Sequence, residues 1–393
     1  MYRKLFLSVL FTTVSLFSGL FAQEKKSNLH VGVMYPVSSN GKEAPAYSNE
    51  VSLHLLGGLS NEEEAVSFAG IFNKVNHNVK GVHIAGIGYH VGQKADGVLF
   101  SGVLNNYKSG KGVQLAGIAN LAKEDVKGFQ FGGIFNKAKR ADGFQFAGIM
   151  NMTDSATLKG GQFSGIFNSA NSVRGVQISG IANQVKDSVS GVQFAGIGNI
   201  AQNVKGSQFS GIFNKAKKVS GIQFAGILNI ADSSDYPIAI INVIKNGEKS
   251  IGLSIDDQSN AIAAFRSGGK VLYGILGLGY NLKNKDEVYA LQAGFGAHLW
   301  RMQQFQLNTE LTHLTLTSFK KGDFYRNSLA VMPTYRIGNK IDVFLGGSVN
   351  YMSTGTEEGK GLTKNFLHSW NGKNSGNFQG LFLGYSAGLK LIL

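Results

Sequence analysis

The sequence predicts an all-β protein: a β-solenoid-like repeat region inserted in an antiparallel β-barrel of about 8 to 10 strands. Three observations predict it. A unit reading G-x-Q-[FIL]-[AS]-G-I-x-N, followed by six to eight mostly polar residues, recurs eleven times between Phe68 and Asn242. Beyond about Lys249 that unit disappears and longer two-faced alternating strands replace it. The 53 glycines and four prolines favour strands and tight bends over disorder.

Residues 1–22 read as a secretory signal peptide, with Arg3 and Lys4 ahead of the apolar run Leu5 to Leu10 and a cleavage site after Ala22. No later apolar run is long enough for a second membrane helix. The lack of cysteine excludes disulfides, thiolate metal sites and a thiol nucleophile. The excess of 38 basic over 24 acidic residues gives a net charge of +14. Part of it lies in the repeats, at Lys137, Lys139, Arg140, Lys215, Lys217 and Lys218. Such a surface suits outer-membrane lipid headgroups, an anionic glycan or an envelope protein; nucleic acid is a poor partner for an exported chain.

Residues 23–60 hold two strands assigned to the barrel. Leu29, Val31, Val33 and Tyr35 alternate with His30, Gly32 and Met34, and Val51, Leu53 and Leu55 alternate with Ser52 and His54. Pro36 to Glu50 reads as the loop between them. Glu62 to Glu64 then place charge at a solenoid end, where it discourages edge-to-edge association.

Residues 61–247 form the glycine-rich region of about eleven units. Its second glycine falls at Gly70, Gly86, Gly102, Gly117, Gly133, Gly148, Gly165, Gly180, Gly196, Gly211 and Gly226, a period of 15 to 17 residues. A unit this short cannot bury an apolar side alone, so coils must stack. The recurrent valine two places before the next glycine (Val79, Val126, Val173, Val189, Val204, Val219) favours coils over barrel turns, which have little need of it. The unit's asparagine, at Asn120, Asn136, Asn151, Asn168, Asn183, Asn199, Asn214 and Asn229, is predicted to form an inward amide ladder, which Tyr89 interrupts. Val192 and Phe194 flank Gln193 and are read as core, so the glutamine column points outward: Gln114, Gln130, Gln145, Gln162, Gln177, Gln193, Gln208 and Gln223. That column is the candidate binding surface for a repetitive glycan.

Residues 248–393 carry outer-membrane-type barrel strands. Tyr289, Leu291, Ala293, Phe295, Ala297 and Leu299 share one face, and so do Leu381, Leu383, Tyr385, Ala387, Leu389, Leu391 and Leu393; neither face has a charge. The other face bears Gln292, His298, Asn308 and Glu310, read as lumen groups, with Glu310 paired to a base such as Lys390 or Arg336. Short connections at Arg301 to Gln304 and Gly338 to Lys340 contrast with longer ones at Lys320 to Arg326 and Ser353 to Phe378. Since short turns lie inside, the repeats are placed in the periplasm.

Enzyme signatures are weak. GILGLG (Gly274 to Gly279) lies within a strand and opens no helix, so it lacks the context of a phosphate loop. His77, His83 and His90 have no metal-ligand spacing, and the repeat lacks the aspartate of calcium-binding nonapeptides. No catalytic residue, cofactor or metal is assigned.

The G-x-Q-x-A-G-I-x-N run, preceded by VGVMYPVSSNG and VSLHLLGGLSN and followed by FQLNTELTHLTL, resembles a family of bacterial surface-repeat proteins of the Gram-negative envelope. The resemblance implies an outer-membrane or cell-surface location, with surface-exposed repeats as the alternative to the periplasm, and supplies no catalytic residues. The expected function is non-enzymatic, a structural or adhesive envelope protein. The alternative is a small pore or transport-related barrel with an accessory repeat region.

Overall fold

A computed structural model describes residues 25–319, 324–372 and 377–393; the predicted leader at 1–22 lies outside them. The described chain is nearly all strand, with a stacked β-solenoid of about 13 turns and a closed eight-stranded antiparallel barrel. It divides into two compact units, the first ending at Lys139 and the second spanning Arg140–Leu393.

The first unit consists of coils from its start. Lys25–Met34 lies parallel to Tyr47–Ser60, with Leu29 opposite Val51 and Val31 opposite Leu53. Tyr47–Ser60 in turn pairs parallel with Glu62–Ala69 and Phe72–Val75. The two N-terminal strands are therefore the first coils of the stack and not barrel strands. Their parallel register needs a crossover, made by residues 35–46 and including the 3-10 turn Gly41–Ala46.

In the second unit the coils stack in exact sequence register. Gln193 lies opposite Gln177 and Gln208, and Asn199 opposite Asn183 and Asn214. The inward positions of one coil are Val189, Gly191, Gln193 and Ala195, while Phe194 is 41% exposed and Ile197 40% exposed. This reverses the expected phase: the glutamines are buried and the phenylalanines lie outside. In these coils the stacked amides and valines fill the interior, and the glycines let the coils approach closely. At Gly191, where φ is +144°, an added Cβ would lie 1.9 Å from the Gly175 carbonyl oxygen. Small residues on both sides of Gln193 leave room for an amide. The valines two places before these glycines are buried as the repeat pattern requires.

The barrel strands are β1 (Lys249–Asp256), β2 (Asn260–Gly268), β3 (Leu272–Asn281), β4 (Tyr289–Arg301), β5 (Phe305–Thr317), β6 (Phe324–Ile337), β7 (Ile341–Thr354) and β8 (Phe378–Ile392). Leu253 opposite Leu389 joins β1 to β8 and closes the cylinder. GILGLG is part of β3. The last coil seats on the barrel end of the β2–β3, β4–β5 and β6–β7 connections, three residues each: the Asn242 backbone N–H donates to Ser267 Oγ at 2.9 Å and its side-chain amide to the Ser267 carbonyl at 3.1 Å. Gly274 admits this contact, since a Cβ there would lie 2.4 Å from the Ile240 carbonyl oxygen. At the other mouth the segment after β7 folds back onto the barrel. Gln258 donates to Thr363 Oγ1 at 2.7 Å, and the Phe366 ring packs 6.0 Å from Phe382.

Candidate functional site

The coil interiors hold two amide ladders. Asn183 Nδ2 donates to Asn199 Oδ1 at 2.9 Å and Asn199 Nδ2 to Asn214 Oδ1 at 2.9 Å, towards the C-terminus; each also reaches a backbone carbonyl of the next coil. The same direction holds for Asn120 to Asn136, Asn151 to Asn168, Asn168 to Asn183, Asn214 to Asn229 and Asn229 to Asn242. The glutamines donate the opposite way: Gln162 to Gln145, Gln177 to Gln162, Gln193 to Gln177, Gln208 to Gln193 and Gln223 to Gln208, at 2.8 to 3.2 Å. Opposed ladders cancel much of each other's dipole. All eight glutamines, with Gln114 and Gln130 in the first unit, are at most 1% exposed. No sugar can reach them, so the recognition surface expected there does not exist.

In the first unit tyrosines and histidines replace amides. Tyr89 interrupts the asparagine ladder as expected: its hydroxyl accepts from Asn73 Nδ2 at 2.8 Å and lies 2.6 Å from Ser67 Oγ, which in turn lies 2.9 Å from His83 Nδ1, while Asn105 Oδ1 opposite it accepts no bond. Gln130 Nε2 donates to Tyr107 Oη at 2.7 Å. Burial pushes the Tyr89 and Tyr107 hydroxyls up and the His83 imidazole down to about 4, so this Ser–His contact is a neutral structural pair.

Nearer the N-terminus the middle carboxylate of Glu62 to Glu64 is not at the surface. Glu63 is buried, accepting from Ser52 Oγ at 2.8 Å and from Asn49 Nδ2 at 3.3 Å. Burial raises its carboxyl to about 7. His30 and His54 pack edge to face at 4.5 Å, and burial lowers both, His30 to about 4. His77 is hydrogen-bonded to Asn61 on the outside at 2.7 Å, and His90 lies opposite Lys74 and Asn106. Among the described residues no three His, Cys, Asp or Glu side chains are arranged to hold a metal ion.

The barrel is the reverse of a soluble core. Leu253 and Leu345 on its outer wall are 64% and 63% exposed, whereas Arg266, Glu310 and Lys390 are buried inside. Arg266 Nε and Nη2 donate to Glu310 Oε1 and Oε2 at 2.8 and 3.0 Å, Tyr273 Oη donates to Oε1 at 2.9 Å, and Lys390 Nζ lies 3.8 Å away. Of the bases expected beside Glu310, Lys390 is present and Arg336 is not. Arg336 pairs with Asp342 at 2.7 Å and Glu248 at 3.2 Å near the short-turn mouth. Towards the other mouth Arg326 pairs with Asp256 at 2.7 Å and donates to Gln258 at 2.8 Å. His298 Nδ1 lies 2.6 Å from Asn308 Oδ1. Sequence reading missed Arg266 because its inward neighbours on β2, Ile262 and Ala264, are apolar and disguise the lumen face.

Two cavities remain among these groups, of about 50 and about 10 Å³. They suit a few waters at most. Glu310 is held by three donors, two from Arg266 and one from Tyr273. No known protein family, curated protein or solved structure matches the chain, so the functional reading rests on this geometry.

Proposed function

We propose that the chain is a non-enzymatic outer-membrane protein, a structural component of the envelope whose barrel anchors it and whose coils form a scaffold. The observation that carries this reading is the inverted barrel: side chains such as Leu253 and Leu345 project outward, and the ion pairs Arg266–Glu310 and Arg326–Asp256 are enclosed. In water that arrangement leaves a broad apolar surface exposed, at about 25 cal/mol per Å²; in hydrocarbon it is the stable one.

Two aromatic clusters support a bilayer-spanning band. Tyr280, Tyr289 and Phe319 sit at one end, with Tyr325, Tyr351 and Trp370 beside them; Trp300, Phe305 and Tyr335 sit at the other. From Tyr289 to Trp300 is eleven residues on β4. At about 3.3 Å per residue and a tilt of roughly 40°, they span about 28 Å, close to the apolar height of such barrels. The coils join the end with the short turns, which supports a periplasmic position for them.

The pore reading is disfavoured by the lumen, where conduction requires breaking Arg266–Glu310 and Arg326–Asp256. Single-channel recording of the full chain in planar bilayers tests this. A silent membrane agrees with an anchor; regular conductance steps would establish the pore.

A further inference from the structure

The coils of the second unit do not have equivalent sides. On one side the outward residues are aromatic and aliphatic in unbroken columns: Phe194, Phe209 and Phe224 form one, and Ile197, Ile212 and Ile227 the next. Phe194 and Phe209 stack at 4.9 Å, and the three isoleucines are 40 to 49% exposed. No charge interrupts either column. Lys215, Lys217 and Lys218 are exposed past the inward asparagine, where Lys215 interrupts a column otherwise made of Ile200, Ile230 and Val243.

Two further observations say what covers the apolar side. The first is continuity. Gly226 and Ile240 of the last coils form a corner with Ala293, Phe295 and Leu311 on the outer wall of β4 and β5, an open, mainly apolar recess of about 540 Å³ that His313 and Asn327 also border. The isoleucine column thus reaches the apolar wall through Ile240, with the hydrogen-bonded pair His313 and Asn327 at the edge of the junction. The second is charge. The outward position just before each positive-φ glycine aligns from coil to coil as Asp142, Lys159, Arg174, Ser190, Lys205 and Ser220. Lys205 is four residues from Phe209 on the same outer face, so the exposed bases border the greasy columns at about 13 Å. Basic groups flanking an apolar face, with the polar residues behind, are what a surface seated in an anionic leaflet presents.

We infer that the Phe and Ile columns of the coils are a second lipid-binding surface: the coil stack lies in the leaflet beside the barrel, with its apolar side among acyl chains and Lys159, Arg174 and Lys205 at anionic phospholipid headgroups. This rests on the barrel reading and extends it, since an anchor needs only the barrel. The scaffold is held along its length and not merely at one end.

The natural absence of cysteine makes the test direct. Single-cysteine variants of the full chain at Ile197 (I197C), Ile212 (I212C), Lys217 (K217C) and Leu345 (L345C) carry a polarity-sensitive fluorophore in vesicles of phosphatidylcholine and phosphatidylglycerol. Each is challenged with a lipid-borne nitroxide quencher and with aqueous iodide. The inference expects Ile197 and Ile212 probes to be quenched by the nitroxide as fully as the Leu345 probe, and the Lys217 probe only by iodide. If Leu345 responds to nitroxide while Ile197 and Ile212 respond to iodide, the coils stand in water: the inference is overturned and the barrel reading survives. If the coil probes are shielded from both quenchers, a second copy or another protein covers the face, and the inference is again overturned. If Leu345 itself is not quenched by the nitroxide, the barrel reading falls and takes the inference with it.

Discussion

Arg266 on β2 and Glu310 on β5 grip each other at two points, 2.8 and 3.0 Å, across the inside of the barrel. Tyr273 and Lys390 complete the environment of the carboxylate. Removing one partner from a buried pair leaves an uncompensated charge and costs about 3–5 kcal/mol. Glu310→Ala strands both Arg266 and Lys390 and should lower the unfolding midpoint accordingly in detergent denaturation. Arg266→Ala with Glu310→Ala should recover part of that loss. A double variant as unstable as the sum of the singles would show that the two do not act as a pair.

The asparagine ladder gives a second test. Asn199 accepts from Asn183 and donates to Asn214 and to the Phe209 carbonyl. Asn199→Ala leaves buried amides short of partners, at about 1–3 kcal/mol each. Asn199→Asp should be worse at neutral pH, because a carboxylate cannot donate onward and buries a charge. Hydrogen exchange of coils 183–214 should rise in the order wild type, Ala, Asp.

Much of this was legible in the sequence, and one assumption accounts for what was not. Stacking, coil period and recurrent valines followed from spacing alone, because identical residues at equal intervals can satisfy one another only in register. The barrel faces followed from strict alternation in β4 and β8. The phase of the coils is not legible because alternation alone makes Phe194 the core residue, whereas the buried position is filled by Gln193, which its counterparts in the coils above and below satisfy. The same alternation hides His30, whose neighbours Leu29 and Val31 lie outside, and Glu63 reads as edge charge because Glu62 and Glu64 flank it. The N-terminal strands went to the barrel because alternation looks alike in parallel coils and antiparallel cylinders.

Two glycines, one in a coil and one in the barrel, differ in what they tolerate. Gly191 combines φ of +144° with a carbonyl 1.9 Å from any added Cβ, whereas at Gly347 on β7 nothing lies within 4 Å. Gly191→Ala should destabilise the coils by at least the roughly 1–3 kcal/mol of a forbidden backbone conformation. Gly347→Ala should leave the thermal midpoint near that of wild type.

The Glu63 cluster predicts a pH dependence confined to the first coils. Its carboxyl, 4.5 when free, is held up to about 7, so between those values the folded coil keeps a proton that the unfolded chain has lost. Stability from this group therefore falls as pH rises from 4.5 to 7. His30, normally 6.5 and held down to about 4, works oppositely, and its contribution is lost as pH falls from 6.5 to 4. Glu63→Gln abolishes the first effect only. At pH 8 the variant should exceed wild type by on the order of 3 kcal/mol, and at pH 4 the two should match. Exchange rates in residues 47–69 report it, and equal protection at pH 8 would contradict the burial of an ionisable carboxyl.

The most direct measurement of the central claim, an apolar cylinder wall turned to lipid around an enclosed ionic interior, is protease digestion of the full chain after flotation with liposomes through a sucrose gradient. The account predicts that the protein floats, resists carbonate extraction and leaves a protected fragment covering β1 to β8. A chain that stays at the bottom of the gradient, folded and soluble without detergent, would contradict it.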